Sequence, residues 1–191
     1  MNTNLKLGDL AQISSKMKLS KSAAYMIKAQ KSMDVVTDEE ASAIQRGLAS
    51  VSFLTNGLKA VLAEQRENQQ NRKMLAQVLE VPEEKVAGDI NDFLNSSEAM
   101  VAVANDFQYS ALLENKDLSD IAVILGDANL AALKDLSRIS SLRYVAGNIQ
   151  INGSVEEIQE HLLNLEYVGG TIVDLSGQVI CTGNASKKLV K

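Results

Sequence analysis

The side chains best suited to covalent chemistry in this sequence are one cysteine and one histidine. A thiol nucleophile needs a basic partner, and the pair usually needs a third group to orient it. Cys181 ends a β-rich run, whereas His161 lies in a predicted helix beside Glu160. The sequence indicates no orienting group, so we expect Cys181 to be a small buried residue and His161 to be exposed or half-buried.

Other kinds of catalytic or ligand site are equally poorly supported. A tetrahedral zinc site needs more than one Cys and one His. Gly169 and Gly170 lack the following Lys of a phosphate-binding loop. The pairs Glu83-Glu84 and Glu156-Glu157 stand at predicted helix starts, where the helix dipole already accounts for acidic residues. We therefore expect no enzyme, with no catalytic, metal or cofactor-binding residues and no cofactor, although a carboxylate-only site remains open because its members meet only in the folded chain.

Composition predicts a globular protein that operates inside a cell. The 191 residues are 46% apolar and 23% charged, enough for one ordinary domain or two small ones. A lone cysteine suits a reducing compartment. The sequence shows neither a secretory signal nor a stretch of about 18 apolar residues that could span a membrane. We expect a cytoplasmic protein, or one within a larger intracellular or viral assembly, without a membrane partner.

Charge is distributed unevenly along the chain. Residues 1–33 carry a net charge of +5, the last five residues carry +3, and the stretch between them carries −13. A basic arm on an acidic body favours binding to an acidic protein surface, to another copy of the chain or, as a weaker alternative, to nucleic acid. The alternative is that these lysines only solvate helices. The basic arm consists of Lys6, Lys16, Lys18, Lys21, Lys28 and Lys31.

The first 116 residues are expected to be helical, because they contain one proline and few glycines. Thr37 and Glu40 have the spacing of a capping box, which predicts a helix that starts there and continues to about residue 80. Asn56-Gly57 could instead divide it in two. Apolar positions then follow at intervals of three and four: Ile44, Leu48, Val51, Leu54, Leu58 and Val61. This seam predicts either pairing in a coiled coil or a surface helix that leaves the core after Val61.

Two further helices are predicted before residue 116. One begins at Pro82, and the other begins at Ser97 and extends to about Leu113. Residues 74–86 also resemble the opening of a helix-turn-helix, the basis of an alternative as a DNA-associated regulator. Its second helix would present Glu83, Glu84 and other acids to phosphates, which argues against DNA binding.

The C-terminal third contains an internal repeat of 23 residues. Segment 142–149 has the sequence LRYVAGNI and segment 165–172 has LEYVGGTI, so Leu, Tyr, Val, Gly and Ile recur at matching places. A less regular copy spans 118–125, and a last strand is predicted at 178–182. The pattern resembles the leucine-rich repeats of receptor L-type domains, in which Leu-x-x-Val-x-Gly-x-Ile carries a strand and its turn into the next layer. A small α+β domain with an accidental duplication is the alternative.

The resemblance implies an α+β fold, mostly helical, in which a helical region (1–116) is followed by a short leucine-rich-repeat-like β/α module (117–191). Each repeat would bury its apolar ladder only by stacking on a neighbour. Such modules present a sheet face to other proteins, which implies a protein partner. The strand positions expected to face that partner are Asn148, Gln150, Asn152, Thr171, Val173 and Gln178.

These observations favour a non-enzymatic protein-protein interaction or assembly protein. Self-association as a structural component of a larger particle, such as a phage virion, is the first hypothesis. An adaptor or inhibitor that binds its partner through the repeat face is the second, and the DNA-associated helix-turn-helix regulator is the third.

Overall fold

The computed structural model describes Leu10, Gln12 and residues 21–182. The chain is α+β, with a helical N-terminal region followed by a strand-rich C-terminal part, as the sequence predicts. It divides into two compact units. We call Ser15–Gln70 the hairpin unit, and Met1–Ser14 together with Asn71–Lys191 the stack unit.

The hairpin unit contains helix α1 (Lys21–Thr37) and most of helix α2 (Ala43–Leu79). The capping box predicted at Thr37 is wrong, because Thr37 is the last residue of α1 and donates its hydroxyl to the carbonyls of Met33 and Asp34. The cap of α2 is formed instead by Ser42 and Gln45. The backbone amide of Gln45 donates to Ser42 Oγ at 3.2 Å, and the backbone amide of Ser42 donates to Gln45 Oε1 at 2.8 Å.

Helix α2 is unbroken over its 37 residues, about 55 Å at 1.5 Å per residue. Asn56-Gly57 therefore does not divide it. The boundary between the two units falls within this helix, so that residues 71–79 belong to the stack unit.

The stack unit is built on two five-stranded sheets of very short strands. The first sheet has the order β1-β2-β4-β6-β8 and is parallel throughout. Its strands are Val86–Ala87, Ala102–Val103, Val123–Ile124, Tyr144–Val145 and Tyr167–Val168. The second sheet has the order β3-β5-β7-β9-β10, with an antiparallel last strand. Its strands are Phe107–Gln108, Ala128–Asn129, Ile149–Gln150, Thr171–Val173 and Val179–Thr182.

The first repeat contributes only β1, to the first sheet, whereas each of the next four contributes one strand to each sheet. Each repeat stacks on the one before it in register. Partners across the first sheet are 16, 21, 21 and 23 residues apart, as in the pairs Val123↔Tyr144 and Tyr144↔Tyr167. The two segments duplicated in the sequence lie on neighbouring strands, since Val145 pairs with Val168 and Ile149 pairs with Ile172.

Short helical segments connect one repeat to the next. Helix α3 (Ile90–Asn95) stands in the first repeat, and helix α4 (Val155–His161) stands between β7 and β8. Single 3₁₀ turns occur at Glu83–Lys85, Ala111–Leu113 and Leu136–Ile139. Asp89 and Ser154 cap the two α-helices with their side chains.

The apolar core lies inside these coils. It includes one residue from every strand except β10, such as Val103, Ile124 and Val145 in the first sheet and Ala128 and Ile149 in the second. The other residue of each first-sheet strand faces away from this core, yet Val86, Ala102, Val123 and Tyr144 are buried as well. The same unit contributes buried Leu10, Leu75 and Leu79 from outside the strands. The first sheet is therefore buried on both faces, the usual environment of a parallel sheet.

The helices predicted from Pro82 and from Ser97 to about Leu113 are wrong in most of their length. These segments contain β1, β2 and β3, with helix confined to Ile90–Asn95 and two 3₁₀ turns. Strands of two residues show no alternation of polar and apolar side chains, so their apolar spacing imitates a helix. The stack of strands therefore begins at Val86, and the boundary expected between residues 116 and 117 falls inside it.

Candidate protein-interaction surfaces

Small side chains form the contact between α1 and α2. Ala29 and Ala60 are buried, and the hydroxyls of Ser32 and Ser52 lie 2.9 Å apart. Asn56 Nδ2 donates to Ser52 Oγ at 3.2 Å on the same side of α2. Apart from the half-buried Phe53, the larger apolar side chains of α2 between residues 43 and 62 lie on its other faces.

Those larger side chains form an exposed apolar surface, which we call the apolar stripe. Its members are between 46 and 76% exposed: Ile44, Leu48, Val51, Leu54, Leu58, Val61 and Leu62. At 100° per residue, Leu58 and Leu62 lie about 160° around the helix from the buried Ala60. The stripe therefore occupies the face of α2 opposite α1, and six of its residues are the seam predicted from the sequence.

The polarity of α2 distinguishes the stripe from an ordinary helix surface. Between Glu40 and Glu64 the only charged residues are Arg46 and Lys59. Apolar residues exposed singly are normal, whereas a contiguous patch of this kind usually marks an interaction site. Further along the same seam, Leu75 and Leu79 are buried in the stack unit.

The outer face of the second sheet is polar on β3, β5 and β7, and carries Val173 on β9. Gln108, Asn129, Gln150 and Val173 are in register on four adjacent strands and are exposed or partly exposed. Of the predicted contact residues, Asn148 immediately precedes β7, Gln150 lies on it, and Thr171 and Val173 lie on β9. The structure therefore brings these four together. Asn152 and Gln178 are exposed in loops after β7 and before β10.

A column of Asp and Asn side chains, which sequence analysis did not find, runs along the turns between the sheets. We call it the Asx ladder, and it consists of Asp106, Asp127 and Asn148. Each side-chain oxygen accepts a hydrogen bond from a backbone amide of the next repeat, at 2.8, 2.7 and 3.0 Å. The signal was available in the sequence as Asp or Asn at intervals of 21 residues. The role of Asn148 in the ladder also means that its side chain already has partners.

The residues considered for catalysis lie within strands, helices or helix caps. Cys181 lies on β10 and is half-buried rather than fully buried as expected. This burial raises the pKa of its thiol, which disfavours the thiolate needed for attack. His161 is the last residue of α4. Glu157 completes a capping box with Ser154, whose side chain also lowers the pKa of Glu156. Among the residues that the structure describes, no three His, Cys, Asp or Glu side chains are grouped to hold a metal ion.

The predicted basic arm is described only in part. Lys6, Lys16 and Lys18 lie outside the described residues, and Lys21 begins α1. Lys28 and Lys31 are exposed on α1, and Lys28 Nζ lies 5.6 Å from the centre of the Tyr25 ring.

The helix-turn-helix opening expected at residues 74–86 does not form. After Pro82 the chain makes one 3₁₀ turn, Glu83–Lys85, and then enters β1. Arg72 on α2 fixes this turn, since its Nε donates to the carbonyl of Glu83 at 3.0 Å. A recognition helix is therefore missing from this segment.

Two further findings bear on the class of protein. None of the helices in the described part of the chain combines the length and the apolar character needed to cross a membrane. Comparison of the chain with protein-family models, curated proteins and solved structures found no match.

Proposed function

We propose that this chain is a non-enzymatic protein-protein interaction or assembly protein whose main contact surface is the apolar stripe of α2. The observation that supports this proposal most strongly is the stripe itself, because seven large apolar side chains on one helix face are exposed to solvent. Their burial against another protein would release roughly 1.5–3 kcal/mol for each side chain that becomes fully covered. Association as a component of a larger particle, such as a virion, is one setting for this function.

In this proposal the stack unit is a leucine-rich-repeat-like scaffold joined to the contact surface. The in-register pairing of Tyr144 with Tyr167 and of Ile149 with Ile172 supports it, because each repeat buries its ladder against the next. The raised pKa of the Cys181 thiol supports a role other than nucleophilic catalysis.

An adaptor that binds through the second sheet is the second candidate. It is favoured by the exposed polar column on that sheet, which includes Gln108 and Gln150. A partner with matching donors and acceptors would be needed there, because amide side chains offer hydrogen bonds and little apolar area.

Site-specific photo-crosslinking in the cells that naturally produce the protein tests both candidates. A photoreactive amino acid replaces Val51 in the stripe, Gln150 on the second sheet or the exposed Asp120 as a control. The proposal expects protein adducts from position 51 well above those from position 120. Adducts from position 150 alone would support the adaptor instead. Equal yields at all three positions would contradict both surfaces.

A further inference from the structure

The occupant of the apolar stripe can be identified from its spacing, area and flanking charges. We propose that a second copy of this chain covers it, with the two α2 helices antiparallel; this inference rests on the function proposed above. Six positions of α2 recur at alternating steps of four and three, and five of them belong to the apolar stripe while Thr55 is polar: Ile44, Leu48, Val51, Thr55, Leu58 and Leu62. That is the heptad spacing with which one helix packs against another like itself.

The area of the stripe matches what a stable dimer requires. The exposed surface of its seven side chains totals roughly 800 Å² per copy, so that full coverage of all seven would bury about the area that each partner buries in a standard protein-protein interface. Most soluble oligomers are symmetric and use the same patch on both copies. Two copies of the chain present rows of apolar side chains of equal length to each other, whereas a different partner would have to supply an equally long apolar row.

Charges flanking the stripe select the antiparallel arrangement. Asp38, Glu39 and Glu40 precede the stripe, and Lys59 and Arg66 flank its far end. The antiparallel register that places Ile44 opposite Leu62 also places Leu48 opposite Leu58, and it brings the acidic end of each copy beside the basic end of the other. A parallel pair would align acid with acid and base with base. Exposed ion pairs add little affinity, but like charges opposed at both ends disfavour the parallel alternative.

The remaining charges near the stripe do not alter this choice. Arg46, Glu64 and Glu67 lie about 140–160° around the helix from Ile44, on the far side of α2. They therefore cannot meet across the seam in either orientation.

Sedimentation of the purified full chain tests the dimer. We expect a dimer at micromolar concentration, and at least about a 100-fold weaker association for the double substitution Leu48→Gln/Leu58→Gln, since four buried leucines per dimer are lost. The matched control is Leu112→Gln/Leu175→Gln, which changes two equally exposed leucines of the stack unit and should leave the dimer unchanged. Circular dichroism at 222 nm verifies that each variant keeps its helices. A wild-type chain that is monomeric at all concentrations overturns the proposal, as does equal weakening by the control pair.

Disulfide trapping tests the orientation in a Cys181→Ser background. If the pair is antiparallel, we expect a mixed disulfide when Ile44→Cys and Leu62→Cys chains are combined, and little disulfide from either variant alone. Efficient trapping of Ile44→Cys with itself overturns the antiparallel arrangement. A monomer that still gives strong photo-adducts with another protein from position 51 refutes the second copy as occupant but leaves the proposed interaction function intact.

Discussion

The carboxylate of Asp127 accepts a hydrogen bond from the backbone amide of Asn148 at 2.7 Å, although the two residues are 21 positions apart. Asn148 repeats this contact one layer further on, because its Oδ1 accepts from the amide of Thr171 at 3.0 Å. The Asx ladder thus ties each turn to the following one. It satisfies amide groups at the corner between the two sheets, where the short strands end.

Removal of one ladder carboxylate should loosen the stack. We expect Asp127→Ala to lower the free energy of unfolding by about 1–2 kcal/mol, since the Asn148 amide loses its acceptor. Asp127→Asn keeps an acceptor oxygen, as Asn148 does naturally, and should stay within about 0.5 kcal/mol of wild type.

The measurement for this series is urea denaturation followed by near-ultraviolet circular dichroism. The signal would come from Tyr144 and Tyr167, whose rings are stacked 4.8 Å apart within the stack unit. The exposed Asp120→Ala serves as the control. If Asp127→Asn destabilises as much as Asp127→Ala, charge rather than the acceptor is responsible and the ladder interpretation is wrong.

Two glycines should respond in opposite directions to alanine. A Cβ on Gly147 would lie 2.9 Å from the Gly126 carbonyl oxygen and would collide with the Asp127 carboxylate. We therefore expect Gly147→Ala to lower the free energy of unfolding by about 2–3 kcal/mol. A Cβ on Gly57 meets nothing within 4 Å, and Gly57→Ala should stabilise α2 by about 0.5–1 kcal/mol.

A double-mutant cycle separates the two causes at Gly147. Combined with Asp127→Ala, the Gly147→Ala substitution should cost less than it does alone, because one of the two clashing groups has gone. Urea denaturation of the four proteins supplies the cycle. Strict additivity would show that the carboxylate does not constrain this position.

The repeat was predictable only where its letters recur. Segments 142–149 and 165–172 share five residue types, and the structure pairs them strand to strand. The earlier strands carry Ala102-Val103 and Phe107-Gln108 at the same places. Two residues are too few for a strand to show a period, so neighbouring layers, rather than local sequence, determine these elements.

The candidate interaction surface was visible in the sequence as a seam, but its exposure was not. The same periodicity continues from Ile44 to Leu79, yet Leu58 is exposed and Leu79 is buried. Whether an apolar face is covered depends on tertiary packing, and small residues of α2 such as Ala60 pack against α1 here. The Asx ladder was missed for a similar reason, because its spacing has meaning only once strand register is known.

Arg138 should be a strong determinant of stability in the stack unit. Its guanidinium donates to Tyr109 Oη at 2.8 Å and to the carbonyls of Glu114 and Lys116 at 2.9 Å each, which fixes the loop of the preceding repeat. Arg138→Ala should cost about 2–3 kcal/mol.

Lysine cannot span these acceptors, because it offers a compact charge in place of a planar fork. Arg138→Lys should therefore recover less than half of the loss, whereas the exposed neighbour Lys134→Ala should change little. Denaturation followed through the tyrosine signal is again the measurement. Full recovery by lysine would mean that positive charge alone stabilises the loop.

Three Asp-Leu-Ser turns should make the stack unit sensitive to acid. Hydrogen bonds from Ser119, Ser137 and Ser176, in that order, lower the pKa of Asp117, Asp135 and Asp174 below the ordinary value of 3.8. A carboxyl whose pKa is lower in the folded chain binds protons more readily when unfolded. Its contribution to stability is therefore complete above the unfolded pKa and is lost as the pH falls through the folded one.

The free energy of unfolding should accordingly decrease between pH 5 and pH 2, and the triple substitution Asp117→Asn/Asp135→Asn/Asp174→Asn should flatten that decrease. The Ser176 hydroxyl lies 2.6 Å and the Gln178 amide 2.9 Å from Asp174 Oδ1, so this turn should contribute clearly. A matched triple, Glu114→Gln/Asp120→Asn/Glu160→Gln, removes as many exposed carboxylates outside these turns. Urea denaturation across the pH range compares the three proteins. The hydrogen bonds from serine distinguish the first set of carboxylates from the second. If both triple substitutions flatten the pH profile equally, general charge repulsion in acid explains the decrease in stability, and the Asp-Leu-Ser turns do not contribute specifically.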